Sequence, residues 1–285
     1  SGNTITFKNT SNVVNQACQE PQYSWSIVPV AETGATTNGF TLQSSNYSSK
    51  DLIVRFTQPG SYEVSLTVTN SCGSSTVTKT IENLGDPSVN FNPANASICE
   101  DAPADLLIDF NTTYKPNYSK GVFMPKSYEW SISGTGVTAS DYAFTGGTNA
   151  SSAFPKIIFK AYKTFAINVK VNGECNGNNE ATFNLTLKET PVITNSNLTQ
   201  SICSGTSTSA ISLTSSVSGT TFTWEVIKSA NITTVINGNS NTSASTIPAI
   251  TINNNSTTSG TVTYSVTPTA NGCTGSSKDF VITVN

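Results

Sequence analysis

Hydrophobic and polar positions alternate with a period of two over stretch after stretch of this chain. In "RFTQPGSYEVSLTVTNSCGSS" (55–75), Tyr62, Val64, Leu66 and Val68 alternate with Ser61, Glu63, Ser65 and Thr67. Such alternation puts one set of side chains on a buried face and the other in water, which is the pattern of a β-strand. Pro59-Gly60 before it and the run from Asn70 to Ser74 after it are turn chemistry, so a strand is predicted between them.

The pattern recurs with its landmarks. Trp25, Trp130 and Trp224 lie in "YSWSI", "YEWSI" and "FTWEV", each reading aromatic-x-Trp-x-aliphatic, and a cysteine follows each Trp at 47, 45 and 49 residues (Cys72, Cys175 and Cys273). Written back from the cysteine, Phe56, Tyr62, Val64, Leu66 and Val68 fall without a gap on Phe159, Phe165, Ile167, Val169 and Val171. Val262, Tyr264 and Val266 continue the face in the third copy, and a closing strand follows each cysteine ("STVTKTI", "ATFNLTL", "KDFVITV"). Self-similarity at this period predicts an all-β chain of three tandem Ig-like β-sandwiches, 1–85, 86–189 and 190–285. The splits fall near Gly85-Asp86-Pro87 and Glu189-Thr190-Pro191. Short proline-bearing linkers predict an elongated, semi-rigid array, roughly 100 Å long if its units lie end to end. Each Trp is expected to be the centrepiece of its core, the alternative being a solvent-facing ring for sugar stacking.

Composition narrows the function. Only 11% of the 285 residues are charged and the net charge is −3, which gives no electrostatic footprint for nucleic acid or an anionic membrane. No apolar run reaches the roughly 18 residues of a transmembrane helix, so no membrane insertion is expected. The start, "SGNTITFKNTS", has neither a basic nor an apolar leader region, and the first repeat lacks a strand before "TITFKNTS", so its first strand is expected to be truncated and the chain to be a piece of something longer. There is no histidine, which removes Ser-His-Asp and Cys-His catalysis and His-ligated metal chemistry. The expectation is a protein that is not an enzyme, with no cofactor unless calcium.

Six cysteines, two per repeat, suggest three disulfides and an extracellular or cell-surface location. The repeat boundaries pair them as Cys18–Cys72, Cys99–Cys175 and Cys203–Cys273, each worth on the order of 4 kcal/mol in the chain-entropy model. The first would clamp two loops; the others would tie a first strand region to a last turn. Zinc is disfavoured, because there is neither a CxxC pair nor a histidine.

The landmarks "ITFKNTS", "YSWSI" and "FTQPGSYEVSLTVTNSCGSSTVTKTI" resemble a PKD (polycystic kidney disease) domain, an Ig-like sandwich, over residues 1–85. Residues 190–285, with "ICSGTS" and "SGTVTYSVTPTANGCTGSS", are similar to the PKD-like repeats of large secreted proteins of the Bacteroidota. Residues 86–189 match in the Trp, Cys and strand spacing alone. The acidic WDFGDG motif common in PKD domains is missing, since Trp25 is followed by "SIVPVAETG". The resemblance implies a non-catalytic part of a cell-surface adhesin, such as those of gliding motility, acting as a spacing and display rod. Its expected partners are neighbouring repeats, surface polysaccharide or another surface protein. A carbohydrate- or protein-binding module, or an accessory region of a secreted hydrolase, is the alternative it leaves.

Two stretches carry candidate chemistry. Glu100, Asp101, Asp105 and Asp109 form the densest acidic cluster, a weak calcium candidate that is better read as solvated turns. "NTTYKPNYSKGVFMPKS" (111–127) holds Tyr114, Tyr118, Phe123, the single Met124 and three lysines. These aromatics could grip a ligand, or could pack on a neighbouring module and stiffen a joint. Several N-x-S/T sequons, Asn46 and Asn111 among them, read as an Asn/Ser/Thr-rich hydrated surface.

Overall fold

The computed structural model describes residues 3–11, 20–33, 35–43, 45–174, 177–238 and 244–285. It is 52% strand and nearly devoid of helix, as Val-, Ile-, Thr- and Tyr-rich alternating segments dictate.

In the N-terminal part, β1 (Asn3–Phe7), β4 (Leu52–Phe56) and β3 (Phe40–Leu42) form one sheet, and β2 (Gln22–Pro29), β5 (Gly60–Asn70) and β6 (Gly73–Asn83) form the other. Next, β9 (Leu106–Asp109), β13 (Lys156–Phe159) and β12 (Tyr142–Thr145) face a four-stranded sheet. That sheet runs β11 (Ser127–Ser133), β14 (Thr164–Asn172), β15 (Asn178–Glu189), β8 (Asn95–Glu100). A short pair, β7 (Val89–Asn90) with β10 (Asn117–Tyr118), lies beside them. The C-terminal part repeats the large sheet as β19 (Thr221–Lys228), β22 (Gly260–Ala270), β24 (Lys278–Val284), β16 (Thr199–Ile202). Its opposite face is two short pairs, β17 (Thr206–Ser207) with β21 (Thr251–Ile252) and β18 (Ile211–Ser212) with β20 (Thr246–Ile247). The two-residue β23 (Cys273–Thr274) completes the hairpin with β22.

Three separate hydrophobic clusters fill these sandwiches, drawn from residues 5–81, 89–187 and 193–284. Each contains one Trp, and Trp25, Trp130 and Trp224 are 7%, 5% and 7% exposed. Their registers coincide: Trp25 pairs with Leu66, Trp130 with Val169 and Trp224 with Val266. This common frame compares the sandwiches residue by residue and exposes one difference. Across β5, Val64 pairs with Lys79; in the other two sandwiches, Ile167 pairs with Phe183 and Tyr264 with Phe280. Phe183 and Phe280 are fully buried, whereas Lys79 is exposed.

A second difference accompanies the first. β8 runs parallel to β15 from Asn95 opposite Asn184 to Glu100 opposite Glu189, and β16 runs parallel to β24 from Thr199 opposite Val281 to Ile202 opposite Val284. Among the described residues no strand occupies the matching outer edge of β6. β6 is therefore exposed along most of its length, with Val77 at 70%.

Candidate functional site

The features with functional potential are the two joints between sandwiches and the open side of the first. At the N-terminal joint, the linker residue Gly85 donates its N–H to Val122 O at 3.4 Å. Val122 and Phe123 stand on a 3₁₀ turn, Gly121–Phe123. A Cβ on Gly85 would lie 2.4 Å from the Phe123 ring and 2.7 Å from Pro59, so a glycine is needed for the module before it and the turn after it to meet. The exposed Lys126–Glu174 ion pair (2.9 Å) joins two residues of the second sandwich and does not cross the joint.

The second joint is covalent. Cys99, the β8 residue opposite Lys188, is bonded to Cys273, whose Cα lies 5.7 Å away although 174 residues separate them in sequence. Cys273 is presented by a tight hairpin whose tip, Asn271 (φ 52°) and Gly272 (φ 81°), has the left-handed backbone that an Asn-Gly pair adopts readily. Beside the bridge, Lys188 Nζ donates to Asn271 O at 2.9 Å. The linker carbonyl of Pro191 packs so closely on Gly275 that a Cβ there would lie 1.8 Å from it.

This bond corrects the within-repeat pairing expected for two of the three bridges. Cys99–Cys175 and Cys203–Cys273 are not formed, and Cys203 is a free, exposed thiol. The physical reason is the parallel edge strand. β8 carries Cys99 to the end of the second sandwich that meets the third, within bonding reach of its hairpin tip. Cys72 is disulfide-bonded, and its expected partner Cys18 lies outside the described residues, as does Cys175.

The aromatics of 111–127 are committed to packing. Tyr114, at φ 54°, stacks on Phe183 with ring centroids 4.6 Å apart. Tyr118 is half-buried, donates its hydroxyl to Ala153 O at 2.6 Å, and meets Tyr128 and Phe154 at 5.0 and 5.3 Å. Burial, reinforced by the neighbouring Tyr128, pushes its hydroxyl pKa well above the ordinary tyrosine value. Phe123 faces the joint. Of this loop, Met124 and its three lysines, Lys115 (4.7 Å over the Phe154 ring), Lys120 and Lys126, are exposed.

The acidic cluster disperses. The Asn111 backbone N–H and the Lys156 ammonium (3.1 Å) hold the Asp109 carboxyl below its ordinary pKa. No group of three or more His, Cys, Asp or Glu side chains converges on a point among the described residues, so Glu100, Asp101 and Asp105 do not form a calcium cage there.

Sequence reasoning missed a repeated turn, Asn46-Tyr47-Ser48-Ser49 and Asn149-Ala150-Ser151-Ser152. Asn46 Oδ1 accepts from the Ser48 N–H at 2.9 Å, and Asn149 Oδ1 from the Ser151 N–H at 2.8 Å. Ser49 and Ser152 close each turn by accepting from the N–H of Asn46 and Asn149, both at 3.0 Å. Each turn then grips its tryptophan: Trp25 donates its backbone N–H to Tyr47 O and its indole N–H to Ser49 O, and Trp130 does the same to Ala150 O and Ser152 O. The signal was the shared N-x-S-S tetrapeptide, hidden among other sequons in an Asn/Ser-rich chain.

Among known proteins, a family model for a PKD-like domain matches residues 200–285. No relative is found among curated proteins by sequence. Solved structures of tandem domains align over the chain. A titin fragment of three Ig domains, I67–I69, is 8% identical over 100% of this chain and 92% of its own (TM-score 0.37). The N-terminal eight Ig domains of Down Syndrome Cell Adhesion Molecule are 13% identical over 99% of this chain and 33% of their own (TM-score 0.40). Sidekick-1 immunoglobulin domains 1–5 are 13% identical over 100% and 55% (TM-score 0.35). No residue role passes from these structures to this chain.

Proposed function

We propose that this chain is a non-catalytic repeat region of a bacterial cell-surface adhesin, in which disulfide-held β-sandwiches form a spacing and display rod for adhesion or gliding motility. The observation that carries the reading is the Cys99–Cys273 bond between two separately cored sandwiches. A bridge there does not close a core; it fixes the angle between neighbours, which is what a spacer needs and an isolated domain does not. The close approach of Gly85 to Phe123 and Pro59 supports the same stiffness at the other joint. A bond of this kind also fits an oxidising, extracellular location. The PKD-like match of residues 200–285 supports the adhesin setting suggested by the sequence.

The experiment is small-angle scattering of the oxidised and the reduced chain. A rod predicts a maximum dimension of roughly 100 Å, as three end-to-end sandwiches require, and a broader distance distribution after reduction. A compact particle, or one indifferent to reduction, would reject the spacer role.

A further inference from the structure

We propose that the outer edge of β6, with the cleft beneath it, is an acceptor for one further β-strand that adds parallel to β6 and has the chemistry of β8. Between the two sheets of the first sandwich lies an open cleft of about 980 Å³, lined by Ile5, Phe7, Trp25, Leu66, Val77 and Lys79. The common frame says what fills this space elsewhere. Phe7 corresponds to Phe110 and Lys79 to Phe183, because Phe7 pairs with Leu52 and Asn3 with Phe56 as Leu106 pairs with Phe159. In the second sandwich, Phe110 and Phe183 are roofed by Phe91, whose ring lies 6.3 and 5.6 Å from theirs, and the segment from Phe91 runs directly into β8. In the third, Ile193 (3% exposed) lies in the core cluster ahead of β16, and Leu198 and Ile202 pack against that cluster. In both, then, one segment supplies a buried apolar side chain and a parallel edge strand. Among the described residues, the first sandwich has no strand on this edge and nothing over this apolar face, and it carries a lysine in place of the buried phenylalanine.

The chemistry of the occupant follows from its counterparts. β8 reads Asn-Ala-Ser-Ile-Cys-Glu with alternate positions turned inward, Ala96 opposite Leu185 and Ile98 opposite Leu187. Ile81 and Asn83 hold the positions of Leu185 and Leu187 in β6. The occupant is thus an extended strand with small or aliphatic residues at the positions of Ala96 and Ile98 and one large apolar residue ahead of them. It pairs by main-chain hydrogen bonds, which an exposed edge offers to any such strand. Lys79, long and exposed at the cleft, also keeps the uncovered edge from pairing indiscriminately.

The test is hydrogen exchange on a chain carrying residues 87–105 (with Cys99→Ser) joined ahead of Asn3, which spaces the added strand from β1 as β8 is spaced from β9. The expected result is slowing of β6 amide exchange by about tenfold or more, with a rise in melting temperature of the first sandwich. The same graft bearing Phe91→Asp and Ile98→Asp should lose both effects. Unchanged β6 exchange in a folded graft would overturn the proposal. Should the graft not fold, the peptide 87–102 with Cys99→Ser is titrated into the unaltered chain. Saturable slowing of β6 exchange then supports the proposal, and none overturns it.

Discussion

Cys99 and Cys273 belong to different sandwiches and are bonded to each other, so this covalent tie joins modules rather than closing one. Lys188 and Asn271 brace the same contact from the side. Replacing both cysteines by serine is expected to broaden the distance distribution between spin labels on the second and third sandwiches. The melting of each core should change little, because the hydrophobic clusters on the two sides remain intact. Retention of a narrow distribution would assign the rigidity to the Pro191–Gly275 packing instead.

The free thiol gives a chemical check on the pairing. Cys203 is expected to alkylate without reductant, while the Cys99 and Cys273 peptides should appear as one cross-linked species in a non-reducing digest. A Cys203–Cys273 species would contradict the observed bridge.

At the first joint, Gly85→Ala pushes a methyl into the Phe123 ring and Pro59. Overpacking of this kind costs about 1–3 kcal/mol. It should appear as weaker docking of the first two sandwiches and faster proteolysis near the linker, with both cores still folded.

Equivalent positions should respond unequally. Phe183→Ala removes a fully buried ring packed on Phe91, Phe110 and Tyr114, and is expected to cost about 3–5 kcal/mol in urea unfolding of the second sandwich. Lys79→Ala, at the matching place in the first, should stay within about 0.5 kcal/mol because the side chain is exposed. A large loss from Lys79→Ala would mean that the lysine supports the core.

The Asn turns predict a graded series. Asn46→Ala and Asn149→Ala each remove an acceptor for a turn N–H, costing about 1 kcal/mol. Asp at either position keeps the acceptor and should restore most of the loss, as denaturant midpoints would show.

Alkaline stability should depend on Tyr118. Its folded pKa is raised by burial and by Tyr128, so the unfolded chain loses the proton first. The stabilisation is full below the ordinary tyrosine value of about 10 and is lost as pH rises from there through the raised folded value. Tyr118→Phe should flatten this part of the pH profile of the second sandwich; an unchanged profile would assign it to its neighbour Tyr128, which burial also raises.

What the sequence determined by itself was whatever depends on neighbours along a strand. The two-residue period around Tyr62, Val64 and Leu66 sets which side chains face the core, and the Trp-to-Cys spacing carries that frame through the chain. The tertiary structure decided whatever depends on which elements end up side by side. Repeat logic pairs Cys99 with a cysteine of its own repeat, but a disulfide obeys distance, and only the parallel placement of β8 on β15 brings Cys99 to the hairpin tip of the next sandwich. Tyr114 and Tyr118 looked available because their loop is polar around them; the cleft that receives them is built from Phe183, Tyr128 and Phe154, which are distant in sequence. Lys79 read as one polar position in an ordinary strand, and it marked an uncovered core only when the register placed it where two other sandwiches hold a buried phenylalanine.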